Sequence, residues 1–240
     1  DIVNAANSTK NVTAENLRLN ATGSIGTSAR HVTTNIDNVS ASASTGSIYI
    51  TEDDAATVTD VSVSVTDFNS DATTSVVTDL VQSDLATNTN GNIVLVATLG
   101  NITLNDGVDT DDISVTANGS GNILIEALAG RITANADILS DSGHITIKGG
   151  NDVEFTANVD VTTAAPGTVS IDAETGTLTM DGTANVTATN SSARLKAALD
   201  VIVGNVTATN VSMLSGEDIV NAANSTKNVT AANLRLNAEG

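Results

Sequence analysis

GNIVLVATLGNITLND, residues 91 to 106, alternates apolar and polar side chains in two short runs. Ile93 and Leu95 are the apolar pair of the first run, and a second pair follows Gly100. Alternation with a period of two gives each run one apolar face, which is typical of a half-buried β-strand. A glycine between the runs suits a corner, because glycine adopts a positive φ readily. The stretch therefore predicts two short strands joined by a bend.

The same phrase recurs along the chain, most often about 23 residues apart. The recurrences are GNILIEALAGRITAN (121 to 135), GHITIKGGNDVEFT (143 to 156) and GTVSIDAETGTLTMDG (167 to 182). Strands this short are not stable alone, but stacking one coil on another buries one face of each strand and pairs its backbone groups. The predicted fold is all-β, a right-handed parallel β-helix (β-solenoid).

A longer repeat is superimposed on the coils. Residues 1 to 23 and 218 to 240 differ at only two pairs of positions, Glu15/Ala232 and Thr22/Glu239, so the sequence returns after 217 residues. Repetition on this scale indicates a tandem array. We interpret residues 1 to 217 as one super-repeat of roughly nine coils and residues 218 to 240 as the start of the next.

One stretch, residues 70 to 90, interrupts the coil pattern. Val77, Leu80, Val81 and Leu85 have helical spacing. The sequence leaves two interpretations of this insertion open, a short helix or a distorted β-coil.

Composition excludes several classes of function. The formal net charge of −19 disfavours binding to nucleic acid or to an anionic membrane surface and makes divalent cations the natural counter-ions. The chain has no cysteine, so disulfides and thiolate metal sites are absent. No run of about 18 apolar residues occurs, so we expect no membrane insertion by this segment.

Catalysis is not expected from this composition. His31 and His144 are the only histidines and fall in different coils, and Tyr49 is the only tyrosine. Many β-helix proteins degrade polysaccharides with paired carboxylates, so acidic pairs such as Asp53/Asp54 and Asp137/Asp141 were considered. The lack of aromatic platforms for sugar rings, and a tandem array that multiplies any site, argue against an enzyme.

A single loop carries a candidate metal site. NDGVDTDDIS, residues 105 to 114, places Asp106, Asp109, Asp111 and Asp112 around a glycine. Ca²⁺ binds six to eight oxygen ligands, which such loops supply. The alternative is that these are solvated loop acids. Ca²⁺ is the only cofactor that the sequence suggests.

The glycine-bounded runs quoted above resemble the haemagglutinin-type repeats of filamentous bacterial adhesins. The resemblance implies a right-handed parallel β-helix in a large exported protein, located at the cell surface or outside the cell. Such repeats usually form a shaft, with further copies of the repeat, neighbouring filaments or end-to-end subunits as partners. A ligand-binding adhesin surface on the coils is the first alternative, which the expected lack of an exposed apolar patch disfavours. A polysaccharide-active β-helix enzyme is the second.

Overall fold

The computed structural model describes residues 1 to 5, 8 to 225 and 227 to 240. These residues form strands and no helix, so none of them forms a helix long and apolar enough to cross a membrane. One long sheet contains 24 strands, and a separate hairpin contains two. The prediction of an all-β chain is confirmed.

The strands are numbered in chain order. They are β1 (Val12–Thr13), β2 (Asn16–Ala21), β3 (Val32–Asn35), β4 (Asn38–Ala43), β5 (Ile48–Glu52), β6 (Ala56–Val58), β7 (Ser64–Phe68), β8 (Thr74–Thr78), β9 (Leu85–Thr87), β10 (Ile93–Ala97), β11 (Ile102–Leu104), β12 (Ile113–Ala117), β13 (Ile123–Ala127), β14 (Ile132–Ala134), β15 (Asp137–Ser140), β16 (Ile145–Gly149), β17 (Val153–Phe155), β18 (Asp160–Ala164), β19 (Val169–Ala173), β20 (Leu178–Met180), β21 (Asn185–Ala197), β22 (Val201–Val203), β23 (Asn205–Ser215), β24 (Ile219–Asn221), β25 (Val229–Thr230) and β26 (Asn233–Ala238).

The long sheet winds into coils with three faces, and each strand pairs in parallel with the equivalent strand of the next coil. The first face contains β5, β10, β13, β16, β19, the second halves of β21 and β23, and β26. The second face contains β6, β11, β14, β17, β20, β22 and β24. The third face contains β9, β12, β15, β18, the first halves of β21 and β23, and β25. The chain is a parallel β-solenoid.

The core is a set of aliphatic stacks that run along the solenoid. The first-face stack consists, in register, of Ile2, Ile25, Ile48, Ile93, Ile123, Ile145, Val169, Ala193, Val211 and Leu234. Phe155 on the second face is a fully buried aromatic side chain. Nine of the stacked positions precede residue 218, so that segment contains eight complete coils and the start of a ninth, close to the roughly nine predicted.

Side chains at one corner extend the backbone pairing. At the position just before the first face, one side chain of each coil accepts a hydrogen bond from the backbone N–H of the equivalent residue in the next coil. The series is Asp1 to Ser24, Ser47, Asn92, Asn122, His144 and Thr168, with distances of 2.6 to 3.2 Å. A buried or crowded backbone N–H without a partner is costly, so this ladder stabilises a corner that strands alone leave unpaired.

The corner glycines are needed because there is no room for a side chain, and not because of an unusual backbone conformation. Gly100 and Gly130 have no positive φ, so that part of the prediction is wrong. A Cβ on Gly130 would lie 2.0 Å from the carbonyl oxygen of Gly100, and one on Gly143 would lie 1.9 Å from that of Gly121. Glycine is required here because successive coils approach too closely for any side chain.

The structure has an interruption near the predicted residues 70 to 90, but it is an antiparallel hairpin that spans residues 61 to 82. It pairs β7 with β8 and is closed at its base by Val61 and Gln82. Both the helix and the distorted coil are therefore wrong. The apparent helical spacing combines the exposed hairpin residues Val77, Leu80 and Val81 with Leu85, which belongs to the buried third face. The hairpin base contacts earlier coils, because the Gln82 side chain donates to the Leu19 carbonyl at 2.9 Å.

The near-identical ends of the chain occupy different faces. Ile2 pairs with Ile25 on the first face, whereas its counterpart Ile219 pairs with Val201 on the second. Likewise, the NLRLNA segment is β2, which pairs with β4 over the second and third faces, and β26, which lies on the first. One advance of 217 residues thus equals eight coils and one additional face.

We expect Gly130→Ala to lower the free energy of unfolding by about 1–3 kcal/mol, because the added methyl would overlap the backbone of the preceding coil. Gly23→Ala is the matched control, since the nearest atoms to its added Cβ belong to the Asp1 side chain at the chain end. Urea denaturation followed by circular dichroism measures both. Equal costs for the two variants would contradict the close-approach explanation.

Candidate functional site

Two insertions leave the solenoid at the same corner of adjacent coils. The hairpin lies between β6 and β9, and the loop of residues 105 to 112 lies between β11 and β12. Because β6 pairs with β11 and β9 pairs with β12, both insertions follow the second face and precede the third. The register of the sheet therefore brings the hairpin base and the acidic loop together.

Gly107 marks the contact between the two insertions. A Cβ at this position would lie 2.2 Å from the Ser83 hydroxyl oxygen and 3.2 Å from the Asp60 Cβ. Ser83 and Asp60 flank the Val61–Gln82 base of the hairpin. The acidic loop thus packs directly against the point where the hairpin rejoins the solenoid.

Three carboxylates converge at this contact. Oxygen atoms of Asp84, Asp109 and Asp111 all lie within 4.8 Å of one another. Asp84 is only 6% exposed, and its Oδ1 has no hydrogen-bond partner among the described residues. We call Asp84, Asp109 and Asp111 the carboxylate cluster.

The backbone holds Asp84 in a fixed position. Its φ of 64° is in the left-handed region, which Asp adopts more readily than most residues. Its carbonyl accepts the Ala41 N–H at 2.8 Å, and Leu85 immediately afterwards enters the buried third face. The backbone of Asp84 is therefore fixed where the chain enters the third face.

The cluster is electrostatically unfavourable for ionised carboxylates. Burial, followed by the charges of Asp109, Asp111 and Asp106, raises the pKa of Asp84 to about 8. The pKa of Asp106 is also raised, first by burial and then by Asp109 and Asp111, and its Oδ1 likewise has no partner among the described residues. Each cause favours the neutral acid or a bound cation.

Of the four residues predicted from the loop, three lie at or beside the cluster and one lies outside it. Asp109 and Asp111 belong to the cluster, and Asp106 lies close enough to act on it electrostatically. Asp112 is exposed and outside the group of converging oxygens, and its backbone carbonyl accepts the Asp137 N–H at 2.7 Å.

Asp84 was missed by the sequence analysis. It is far from the loop in the chain and lies inside the segment, residues 70 to 90, that was interpreted as a helix or a distorted coil. Both insertions fall between second-face and third-face strands, but the sequence alone does not assign strands to faces. Only the strand register shows that the two corners are adjacent.

The other acidic residues considered for catalysis bind neighbouring groups. Asp53 forms an ion pair with Lys10 at 2.7 Å. Asp141 accepts the Gly119 N–H at 2.7 Å, and Asp137 accepts the Asp160 N–H at the same distance. Burial raises the pKa of Asp137 to about 6. These carboxylates link one coil to the next.

Comparisons with known proteins give no assignment for this site. No protein-family model matches the chain, and no match was found among curated proteins or solved structures. The arguments about function therefore depend on the chain's own residues.

We expect stability in the presence of a chelator to fall as the pH rises from about 4 to about 8. The unfolded chain loses the Asp84 proton near pH 4, whereas the folded chain keeps it until its raised pKa is reached, so the folded state binds more protons across this window. Asp84→Asn should remove part of this dependence and stabilise the protein at pH 8 by about 1–3 kcal/mol.

Urea midpoints at pH 5 and pH 8 in EDTA measure this effect, with Asp112→Asn as the exposed control from the same loop. If Asp84→Asn and Asp112→Asn change the pH dependence equally, the special position of Asp84 is refuted.

Proposed function

We propose that this chain is a structural shaft segment of a large extracellular or cell-surface protein, an adhesin stalk or a fibre built from tandem solenoid repeats. The observation that carries the proposal is the unbroken axial pairing of coils, from the Ile2–Ile25 bridge to the pairing of β23 with β26. Both insertions leave at corners, so the stack of coils continues past them. This architecture converts added residues into added length.

The exposed edge of the last described coil supports further stacking. Leu234 and Leu236 of β26 are 50% and 54% exposed. Their counterparts Leu17 and Leu19 of β2, in the same NLRLNA sequence, are 9% and 7% exposed because β4 follows them in the stack. The same leucines would be covered by a following coil, which makes another copy of the repeat the natural partner of this edge.

Outward charges also connect the coils on the first face. Lys148 lies between Glu126 at 2.6 Å and Glu174 at 3.1 Å, and Lys196 lies 3.2 Å from Asp172. Exposed ion pairs contribute little stability individually, about 0–1 kcal/mol. They nevertheless engage basic side chains that a polysaccharide-degrading site would need for an acidic sugar. This favours the shaft over the enzyme alternative.

The resemblance to haemagglutinin-type repeats supports the same proposal and adds its location outside the cell. The net charge of −19 suits a rod that repels its neighbours and remains dispersed. Screening by salt or by divalent cations would then control whether rods associate laterally.

One observation favours a second function, binding to a partner through the hairpin. Val76, Phe68 and Leu80 are exposed there, with Phe68 at 78%. These exposed apolar side chains weigh against the expectation that the chain has no exposed apolar patch. A shaft that displays such a hairpin could contribute to adhesion along its length.

We expect a protein with four tandem copies of residues 1 to 217 to be a rod. At about 4.8 Å per coil, each copy adds roughly 40 Å, so length should rise in proportion to copy number. Negative-stain electron microscopy of two-copy and four-copy proteins measures this. A compact particle, or a length independent of copy number, would refute the shaft proposal.

The junction between copies gives a second expected result. Leu236→Ala should cost about 2–5 kcal/mol in a two-copy protein, where a following coil covers Leu236, and clearly less in the 240-residue chain, where that side chain is half exposed. Leu19→Ala in the 240-residue chain is the matched control and should show the larger cost. Chemical denaturation checks all three, and an equal small cost at Leu236 in both proteins would argue against stacked copies.

A further inference from the structure

The buried carboxylate at the hairpin base contrasts with another buried acid of this protein. Glu52 is fully buried at the end of β5, but its carboxylate accepts the Thr34 hydroxyl and the Ile36 N–H, the latter at 3.2 Å. Asp84 is also buried, yet its Oδ1 has no hydrogen-bond partner in the described part of the chain. A buried polar atom without a partner is costly, so Asp84 requires a ligand in a way that Glu52 does not.

The surroundings of Asp84 indicate the charge of that ligand. Its nearest charged neighbours are Asp109 and Asp111 of the cluster, with Asp106 beside them. The ion pairs formed by the described residues all lie elsewhere, so no lysine or arginine neutralises the cluster. Without a bound cation, Asp84 must keep its proton up to about pH 8, whereas a cation lets all three carboxylates ionise.

The distances fit a single bound ion. Ca²⁺ lies about 2.3–2.6 Å from its oxygen ligands, so oxygens of one site are separated by up to about 5 Å. Oxygen atoms of Asp84, Asp109 and Asp111 within 4.8 Å of one another meet this limit. One Asp111 oxygen accepts the Ile113 N–H at 2.9 Å, which orients that carboxylate where the loop enters β12.

We propose that Asp84, Asp109 and Asp111 bind a divalent cation, with Ca²⁺ preferred over Mg²⁺. Mg²⁺ demands near-ideal octahedral geometry, whereas Ca²⁺ accepts the irregular set of oxygens that one rigid and two loop carboxylates provide. Asp106 adds negative charge beside the ion. Water completes the coordination of the ion on the side of the two exposed ligands.

Binding at this site would link two parts of the solenoid. Asp84 belongs to the coil that carries the hairpin, and Asp109 and Asp111 belong to the loop of the next coil. The ion would fix the acidic loop against the hairpin base and remove the repulsion that the cluster otherwise imposes. Ca²⁺ should therefore stabilise the folded chain and protect the loop of residues 105 to 112 from proteolysis.

Isothermal titration calorimetry of the chelator-treated 240-residue chain with Ca²⁺ alone tests the proposal, together with thermal unfolding at several Ca²⁺ concentrations. We expect one saturable site with a Kd between about 10⁻⁵ and 10⁻³ M and a melting temperature that rises with Ca²⁺. Mg²⁺ should bind at least tenfold more weakly.

Asp84→Asn and the double change Asp109→Asn with Asp111→Asn should each weaken Ca²⁺ binding at least tenfold. Asp112→Asn is the matched control, since its side chain is exposed on the same loop, and it should stay within about threefold of the unchanged chain. Circular dichroism verifies that each variant is folded. Asp84→Asn is expected to stabilise the cation-free chain at pH 8, so loss of folding would not explain its loss of binding.

Two outcomes would overturn the proposal. One is the absence of saturable heat and of a melting shift up to about 10 mM Ca²⁺. The other is equal weakening by Asp84→Asn and Asp112→Asn, which would indicate diffuse attraction to an acidic surface. Neither outcome affects rod length in electron micrographs, so failure of the cation site is distinguishable from failure of the shaft proposal.

Discussion

Axial hydrogen bonding between coils in register is the constraint on which the whole structure depends. Each strand is too short to be stable alone, and its backbone groups are satisfied only by the strands before and after it in the stack. Register in turn aligns equivalent side chains, so Ile48, Ile93 and Ile123 contact one another along the core. Aliphatic side chains are enough to fill the core because each one packs against its equivalent in the coils before and after it.

Corners carry what the faces cannot. The faces accept little variation, since each must match its neighbours in length and side-chain direction, whereas a corner can hold a glycine, an accepting side chain or a long insertion. Gly130 shows the tightest case, where coils approach to backbone contact, and the hairpin after β6 shows the loosest. Two insertions at the same corner of adjacent coils necessarily meet, and their meeting buries Asp84.

Much of the fold could be predicted from sequence because period-two alternation is a local signal that each coil repeats. The alternation around Ile93 and Leu95 predicts their burial without reference to distant residues. The hairpin could not be predicted in the same way, because Val77 and Leu85 belong to different structures but fall at helical spacing. Two of the three cluster residues, Asp109 and Asp111, were visible in the loop, but Asp84 required knowledge of which corners are adjacent, which is a property of register.

The change of face between Ile2 and Ile219 has a geometric consequence for a tandem protein. Copies that follow one another as proposed would each be rotated by one face relative to the copy before. Their hairpins would then project in three directions in turn, so that the fourth copy repeats the direction of the first. Such a fibre would carry hairpins on all three sides and not along one side only. It would present the same apolar hairpin to surfaces on every side, although each copy has a single hairpin.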